Sequence, residues 1–190
     1  LFDANEEPGG MMRYGAGEFR FPMGALLSDV KHILARGVRF RGGVTFGTEV
    51  TFSTLEQDGF EAVLVAVGTR EALKFPGAGG EGQGFFDALS FLSRVRRQRA
   101  PDLRGKVVVI GGGDVAIDVA RTALRLGSPD VTIACIESRE EMPAHPWEIE
   151  EAMAEGVTLL PNTAVKGFFL RDGRVAGIDA VRVDRTLPGG

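Results

Sequence analysis

The stretch Val107-Val-Val-Ile-Gly-Gly-Gly-Asp-Val-Ala-Ile-Asp118 decides the fold. Four apolar residues of strand length run into three glycines and then into a helical pattern, with Gly111, Gly113 and Ala116 matching G-x-G-x-x-A. Gly111 permits a tight turn, Gly113 lets backbone approach a pyrophosphate, and Ala116 keeps helix and strand close. The free N–H groups and positive end of the helix then face the phosphates, with Gly112 and Val115 in the same loop. Asp114 stands in the first turn, where its carboxylate can satisfy a backbone N–H rather than meet a ligand.

Downstream the alternation continues: strand 106–110, helix 115–126, strand 131–136, helix 146–155 and strand 157–160. This βαβαβ order predicts an α/β fold, a Rossmann-like parallel sheet with helical crossovers. Glu137 ends the second strand. A carboxylate there can accept hydrogen bonds from the adenosine ribose hydroxyls, which favours NAD and repels a 2′-phosphate; the other reading is a solvated loop glutamate. Residues 165–170 and 174–183, joined at Asp172-Gly173, predict a β-hairpin.

Upstream, the spacing of Leu26, Leu27, Val30, Ile33 and Leu34 predicts a helix over 25–36, stopped by Gly37. Residues 1–3 read as the end of a strand, 38–41 and 50–52 as short strands, and 62–67 as a buried strand. A second helix is predicted at 86–97, after a glycine-rich linker at 75–84. Gly77, Gly79 and Gly82 repeat the glycine spacing, but Pro76 precedes them where a strand is required, so they read as an interdomain loop.

With 25% charged and 44% hydrophobic residues over 190 positions, the chain is ordinary for a globular protein of one or two domains. A net charge of −4 argues against a nucleic-acid partner, whose phosphates need a basic face. No apolar run approaches the ~20 residues of a membrane span, so no span is expected, and a cytoplasmic location is the default. One Cys and two His make no metal cluster.

At Pro8-Gly-Gly-Met-Met-Arg-Tyr-Gly15, Glu18-Phe-Arg-Phe-Pro22, Ala66-Val-Gly68, the motif at 111–118 and Ser138-Arg-Glu-Glu-Met-Pro-Ala144, the chain resembles the glutamate synthase small (β) subunit family, including the corresponding part of dihydropyrimidine dehydrogenase. The resemblance implies an NAD(P)H-dependent flavoprotein in which electrons pass from the nicotinamide to FAD, then through iron–sulfur clusters to an electron-accepting partner. It places Asp3 on the FAD ribose, Pro8, Gly9, Gly10 and Met11 on the loop against the flavin cofactor, and Arg20 and Phe46 on further FAD contacts. Gly112, Gly113, Asp114 and Val115 fall on its nicotinamide-cofactor phosphate loop.

Three departures bear on these expectations. The family's FAD glycine motif precedes the position of Asp3, and its segment closing over the flavin follows that of residue 190; neither is in this sequence. NADP-using relatives carry two basic residues where this chain has Ile136 and Glu137. The expectation is therefore a piece of a larger oxidoreductase: residues 1–85 a partial FAD-binding domain, and 86–190 a C-terminally incomplete NAD(P)-binding domain, with NAD preferred to NADP. The alternative is a non-catalytic nucleotide-binding or scaffold module of an electron-transfer complex.

No side chain need act as chemical catalyst, because the cofactors carry hydride transfer. His145 reads as a loop or helix-entry residue, Trp147 as packing and Cys135 as a small buried hydrophobe. Asp118 and Arg121 read as a solvated or dipole-compatible helix face, the other reading being a contact near the cofactor, and Glu148, Glu150, Glu151 and Glu155 as the wet side of the next helix.

Overall fold

The computed structural model describes residues 1–69, 72, 75, 76, 78, 79 and 83–184. The chain divides into two compact units, Leu1–Glu71 and Ala72–Gly190.

The first unit contains helices α1 (Gly10–Tyr14), α2 (Met23–Leu34) and α3 (Phe52–Gln57). The predicted helix over 25–36 is α2, which buries Leu26. The predicted strands do not form ladders. Of residues 1–3 and 38–41, Phe2 and Arg41 make an isolated parallel bridge. At 50–52 the expectation of a strand is overturned. The Thr51 hydroxyl accepts the Thr54 N–H and the Thr54 hydroxyl accepts the Thr51 N–H, a reciprocal cap that starts α3 at Phe52. Residues 62–67 are not a buried strand either: Val63, Val65 and Val67 are exposed, and Leu64 is 91% exposed. An apolar run becomes a strand only beside another strand, and among the described residues none pairs with it.

The second unit opens with α4 (Ala88–Arg96), capped by the Asp87 carboxylate on the Ser90 N–H. Then come β1 (Val107–Ile110), α5 (Asp114–Arg125), β2 (Val131–Ala134), α6 (Pro146–Glu155) and β3 (Thr158–Leu160). The three strands are parallel in the order β1-β2-β3, with Val109 level with Ile133 and Ile133 with Leu159. This is the α/β fold that the alternation predicts. Helix α5 packs on β1 and β2 and is flanked by α4 and α6. Its buried stripe of Ile117, Ala120 and Ala123 is small enough to bring helix and sheet together, with Val109, Val131 and Ile133 beneath. The opposite sheet face is more open: Val108, Ile110 and Leu160 are exposed there.

The chain ends in the antiparallel hairpin β4 (Thr163–Arg171) and β5 (Arg174–Arg182). Asp172 and Gly173 both take positive φ, 52° and 74°, the geometry that a two-residue hairpin turn requires. Phe75 and Phe85 meet Phe168 of β4 edge-on, at 5.4 and 4.7 Å between centroids. Both ends of the glycine-rich segment are thus packed onto the second unit. Gly77 and Gly82 of the rejected second glycine pattern lie outside the described residues, as do 185–190.

Candidate functional site

The chain leaves β1 at Gly111, whose φ of 128° suits glycine, and Gly111 N–H is held by Ala134 O at 2.9 Å. Gly113 is the N-cap of α5 in an extended conformation, with φ −91°. A β-carbon on Gly113 would meet nothing within 4 Å, so the backbone at the helix start is bare on that side. Gly112 is the opposite case. A β-carbon there would stand 2.9 Å from Glu137 Oε2, 3.3 Å from Cys135 Cβ and 3.4 Å from Pro143 Cδ. The three glycines therefore serve different ends: a turn at 111, a close approach between loops at 112 and an open surface at 113.

That close approach brings Glu137 to the loop. Its carboxylate lies over Gly112, while its carbonyl accepts Asn162 N–H at 2.8 Å and so ties the end of β2 to the turn before β4. Beside it Cys135 is buried, and burial together with the Glu137 charge pushes its thiol pKa up, so it is a packing residue. Residues 138–145 fold back across the glycine loop, and Ala144 N–H donates to Gly112 O at 3.0 Å.

Asp114, expected to satisfy a backbone N–H, does so outside its own helix: Oδ1 accepts the His145 N–H at 2.9 Å, and Oδ2 lies 2.8 Å from His145 Nδ1. His145 is the N-cap residue of α6, with Pro146 following at the first helical position. Trp147 is not core packing; it is 57% exposed, and its ring lies 4.4 Å from the His145 ring. Val115 is exposed on the first turn of α5, and Ala116 is buried against the sheet.

Two further expectations are corrected. Arg121 is buried rather than solvated. Its guanidinium reaches Glu148 at 3.3 Å, Glu151 at 2.7 Å and Glu155 at 2.6 Å, and Arg125 joins it on Glu155 at 2.7 Å. Glu148 is correspondingly buried, so the acidic run on α6 is in part an interhelical clasp. Arginine and glutamates lie some thirty positions apart in sequence, and only the α5–α6 packing reveals the pairing.

In the first unit, the Asp3 carboxylate accepts Asn5 N–H at 2.8 Å and Asn5 Nδ2 at 3.1 Å. Pro8 O accepts from Arg13 Nη1 at 3.2 Å, and Arg13 also pairs with Glu7. Gly9 caps α1 at φ 128°, and Gly10, at φ 50°, has nothing within 4 Å of where a β-carbon would sit. Met11 is exposed. Arg20 lies over the Phe19 ring at 5.9 Å, and Phe46 meets Phe52 edge-on at 4.9 Å. Phe46 is also bridged to Val50. Among the described residues no helix is long and apolar enough to cross a membrane, and no three His, Cys, Asp or Glu cluster to hold a metal ion.

A glycine turn between a parallel strand and a helix, with an acidic residue at the end of the neighbouring strand, defines a dinucleotide-fold α/β protein. Residues 25–183 match the model of the pyridine nucleotide-disulphide oxidoreductase family, and the chain belongs to that family. It is 36% identical over 192 residues to the NADP(+)-dependent formate dehydrogenase subunit beta of Moorella thermoacetica, covering 99% of this chain and 27% of that protein. The Escherichia coli glutamate synthase [NADPH] small chain is 29% identical over 200 residues, covering 99% of this chain and 42% of that one. The chain thus spans well under half the length of these relatives. In fold it matches Mycobacterium tuberculosis FprA in complex with NADPH, at a TM-score of 0.70 and 20% identity, covering 96% of this chain and 61% of FprA. Lactococcus lactis thioredoxin reductase matches at a TM-score of 0.64 and 17% identity, covering 97% of this chain and 63% of that one.

Proposed function

We propose that the second unit binds a nicotinamide dinucleotide, NADH in preference to NADPH, and that the first contributes to an FAD site in an oxidoreductase that passes electrons to a protein partner. The observation that carries this is the bare Gly113 backbone at the α5 N-terminus with the Glu137 carboxylate over Gly112. The first offers N–H groups to a pyrophosphate; the second stands three residues beyond the end of β2, in the loop where a carboxylate accepts from ribose hydroxyls. Gly111, Gly112, Gly113, Asp114, Val115 and Glu137 form this site.

For FAD, the open backbone of Gly10 after Pro8 and Gly9 fits a cofactor pressed against the turn, with Asp3, Met11, Arg20 and Phe46 as further candidate contacts. A bound FAD would supply the acceptor for hydride from a reduced nicotinamide. The residues of this chain bind and orient; none is required to move a proton. Both the formate dehydrogenase and the glutamate synthase relatives are named as parts of larger enzymes, which supports an electron-accepting subunit or iron–sulfur domain as partner.

The relatives are named for NADP or NADPH, and the preference for NADH in this chain rests on the Glu137 carboxylate. Parallel titrations of NADH and NADPH at low salt test the reading. NADH is expected to bind more tightly. Binding of neither would reduce the chain to a scaffold, and equal or tighter NADPH binding would remove Glu137 as the selector.

A further inference from the structure

The segment 138–145 lies between the residue that would meet the ribose and the helix that follows, and three bonds pin it to the glycine loop. Ala144 N–H donates to Gly112 O at 3.0 Å, His145 N–H donates to Asp114 Oδ1 at 2.9 Å, and His145 Nδ1 lies 2.8 Å from Asp114 Oδ2. An ionised carboxylate can only accept, so Nδ1 carries the hydrogen in that third bond. Both oxygens of Asp114 are thus engaged by a single residue 31 positions away. A carboxylate in the first turn of a phosphate-binding helix would otherwise repel the pyrophosphate, and here it is turned to a different use.

We propose that Asp114 and His145 form a positioning clamp that holds residues 138–145 across the glycine loop and thereby sets selection at the adenosine ribose. The inference rests on the reading that this loop holds the dinucleotide. The pinned segment carries Arg139, an exposed guanidinium two positions beyond Glu137. While the clamp is shut, Glu137 stays over Gly112 as the ribose acceptor. With the clamp open, the segment gains freedom and Arg139 can reach a 2′-phosphate, which a guanidinium binds bidentately. Asp114 and His145 act in this as positioning residues, through the segment that they hold.

The geometry provides its own discriminating substitutions. The side-chain amide nitrogen of asparagine stands as many bonds from Cα as His Nδ1, whereas that of glutamine matches Nε2. Asp114→Ala, His145→Ala, His145→Asn and His145→Gln would be compared with the unaltered chain by NADH and NADPH titration and by amide hydrogen exchange at 138–145. Asp114→Ala and His145→Ala are expected to weaken NADH about five- to tenfold, the scale of one partly exposed charge-assisted hydrogen bond. They should also narrow the NADH-to-NADPH ratio and speed exchange across 138–145. His145→Asn is expected to restore all three readouts and His145→Gln none. Rescue by glutamine instead of asparagine would overturn the clamp and make Nε2 a direct ligand contact. Faster exchange with unchanged nucleotide affinity and ratio would also overturn it, leaving a bond of structure alone. If the unaltered chain binds neither nucleotide, the proposed function falls and the clamp's role in selection falls with it. Unchanged binding in every variant sinks the clamp while the function stands.

Discussion

Among the described residues two glycine turns, at Gly9–Gly10 and Gly111–Gly113, open onto helices, and they are anchored in different ways. Gly9 and Gly10 lead into α1, a five-residue helix with no buried residue, in a unit whose described strand pairings are isolated bridges. Gly111 to Gly113 lead into the twelve-residue α5, which rests on a parallel ladder and buries six residues. A turn can be specified locally by glycine, but its stiffness comes from what stands behind it. In the second unit Ala134 O fixes the turn, the sheet fixes α5, and residues 138–145 fix Gly112 from the other side. The first turn is held by the Arg13 contacts to Pro8 and Glu7. A backbone site for phosphate needs that pre-organisation, since ordering a loosely held loop on binding costs affinity.

The comparison breaks most visibly at Gly113. Because its surroundings are empty and its φ is −91°, Gly113→Val is expected to fold normally and to lose dinucleotide binding below detection by calorimetry. The same change at Gly112 would collide with Glu137, Cys135 and Pro143 and should cost stability first. A folded Gly113→Val chain with full affinity would show that the phosphate lies elsewhere.

The next effect concerns the ion-paired helices α5 and α6. Arg121 and Glu148 side chains are 8% and 11% exposed. Arg121→Met leaves Glu148 buried without its cation and is expected to destabilise by about 3 kcal/mol, measured by denaturant titration. Arg121→Met with Glu148→Leu should recover part of the loss, since no bare charge then remains. A loss below about 1 kcal/mol in the single variant would place this clasp with ordinary surface pairs.

These two regions also mark what the sequence could tell. The strands and helices between 106 and 183 follow from periodicity and turn residues, because each helix there covers the strand beside it and local pattern agrees with tertiary packing. The apolar run at 62–67 has the same continuous apolar pattern as β1, yet a strand depends on a neighbour that its own sequence does not contain. Phe52 by its own apolar, β-prone side chain suits a strand, and the reciprocal Thr51–Thr54 cap makes it the first residue of a helix instead. At the site, Gly111, Gly113 and Glu137 are legible from spacing alone. The close approach of Glu137 to Gly112, the Asp114–His145 bonds and the Arg121 clasp are not, since each joins residues tens of positions apart.

Cofactor choice sharpens the comparison at the ribose end. Two unit charges at ~4 Å cost about 1 kcal/mol in bulk water and about 4 at an effective dielectric of ~20. The Glu137 carboxylate is partly exposed, so the penalty on a 2′-phosphate should lie between these, a preference for NADH of about ten- to several-hundredfold. Glu137→Arg is expected to move the preference toward NADPH in parallel titrations. An unchanged ratio would assign the choice to Arg139 or to residues outside the loop.

The smallest effect is a pH dependence carried by Glu155. Hydrogen bonds from Arg125 and Arg121 hold its carboxyl well below the usual 4.5, at about 2. A folded-state pKa below the unfolded one means that the unfolded chain takes up the proton first. The stabilisation is therefore complete above about pH 4.5 and is lost as pH falls toward about 2. Arg125 is itself nearly half exposed, so the contribution should be that of a screened pair, about 1 kcal/mol at neutral pH and less in high salt. Glu155→Gln removes the charge and keeps the shape. Its melting temperature is expected to lie below that of the unaltered chain at pH 7, and the gap to close between about pH 4.5 and about pH 2. A gap that persists at the acid end would mean that Glu155 contributes by packing between α5 and α6 and not by its charge.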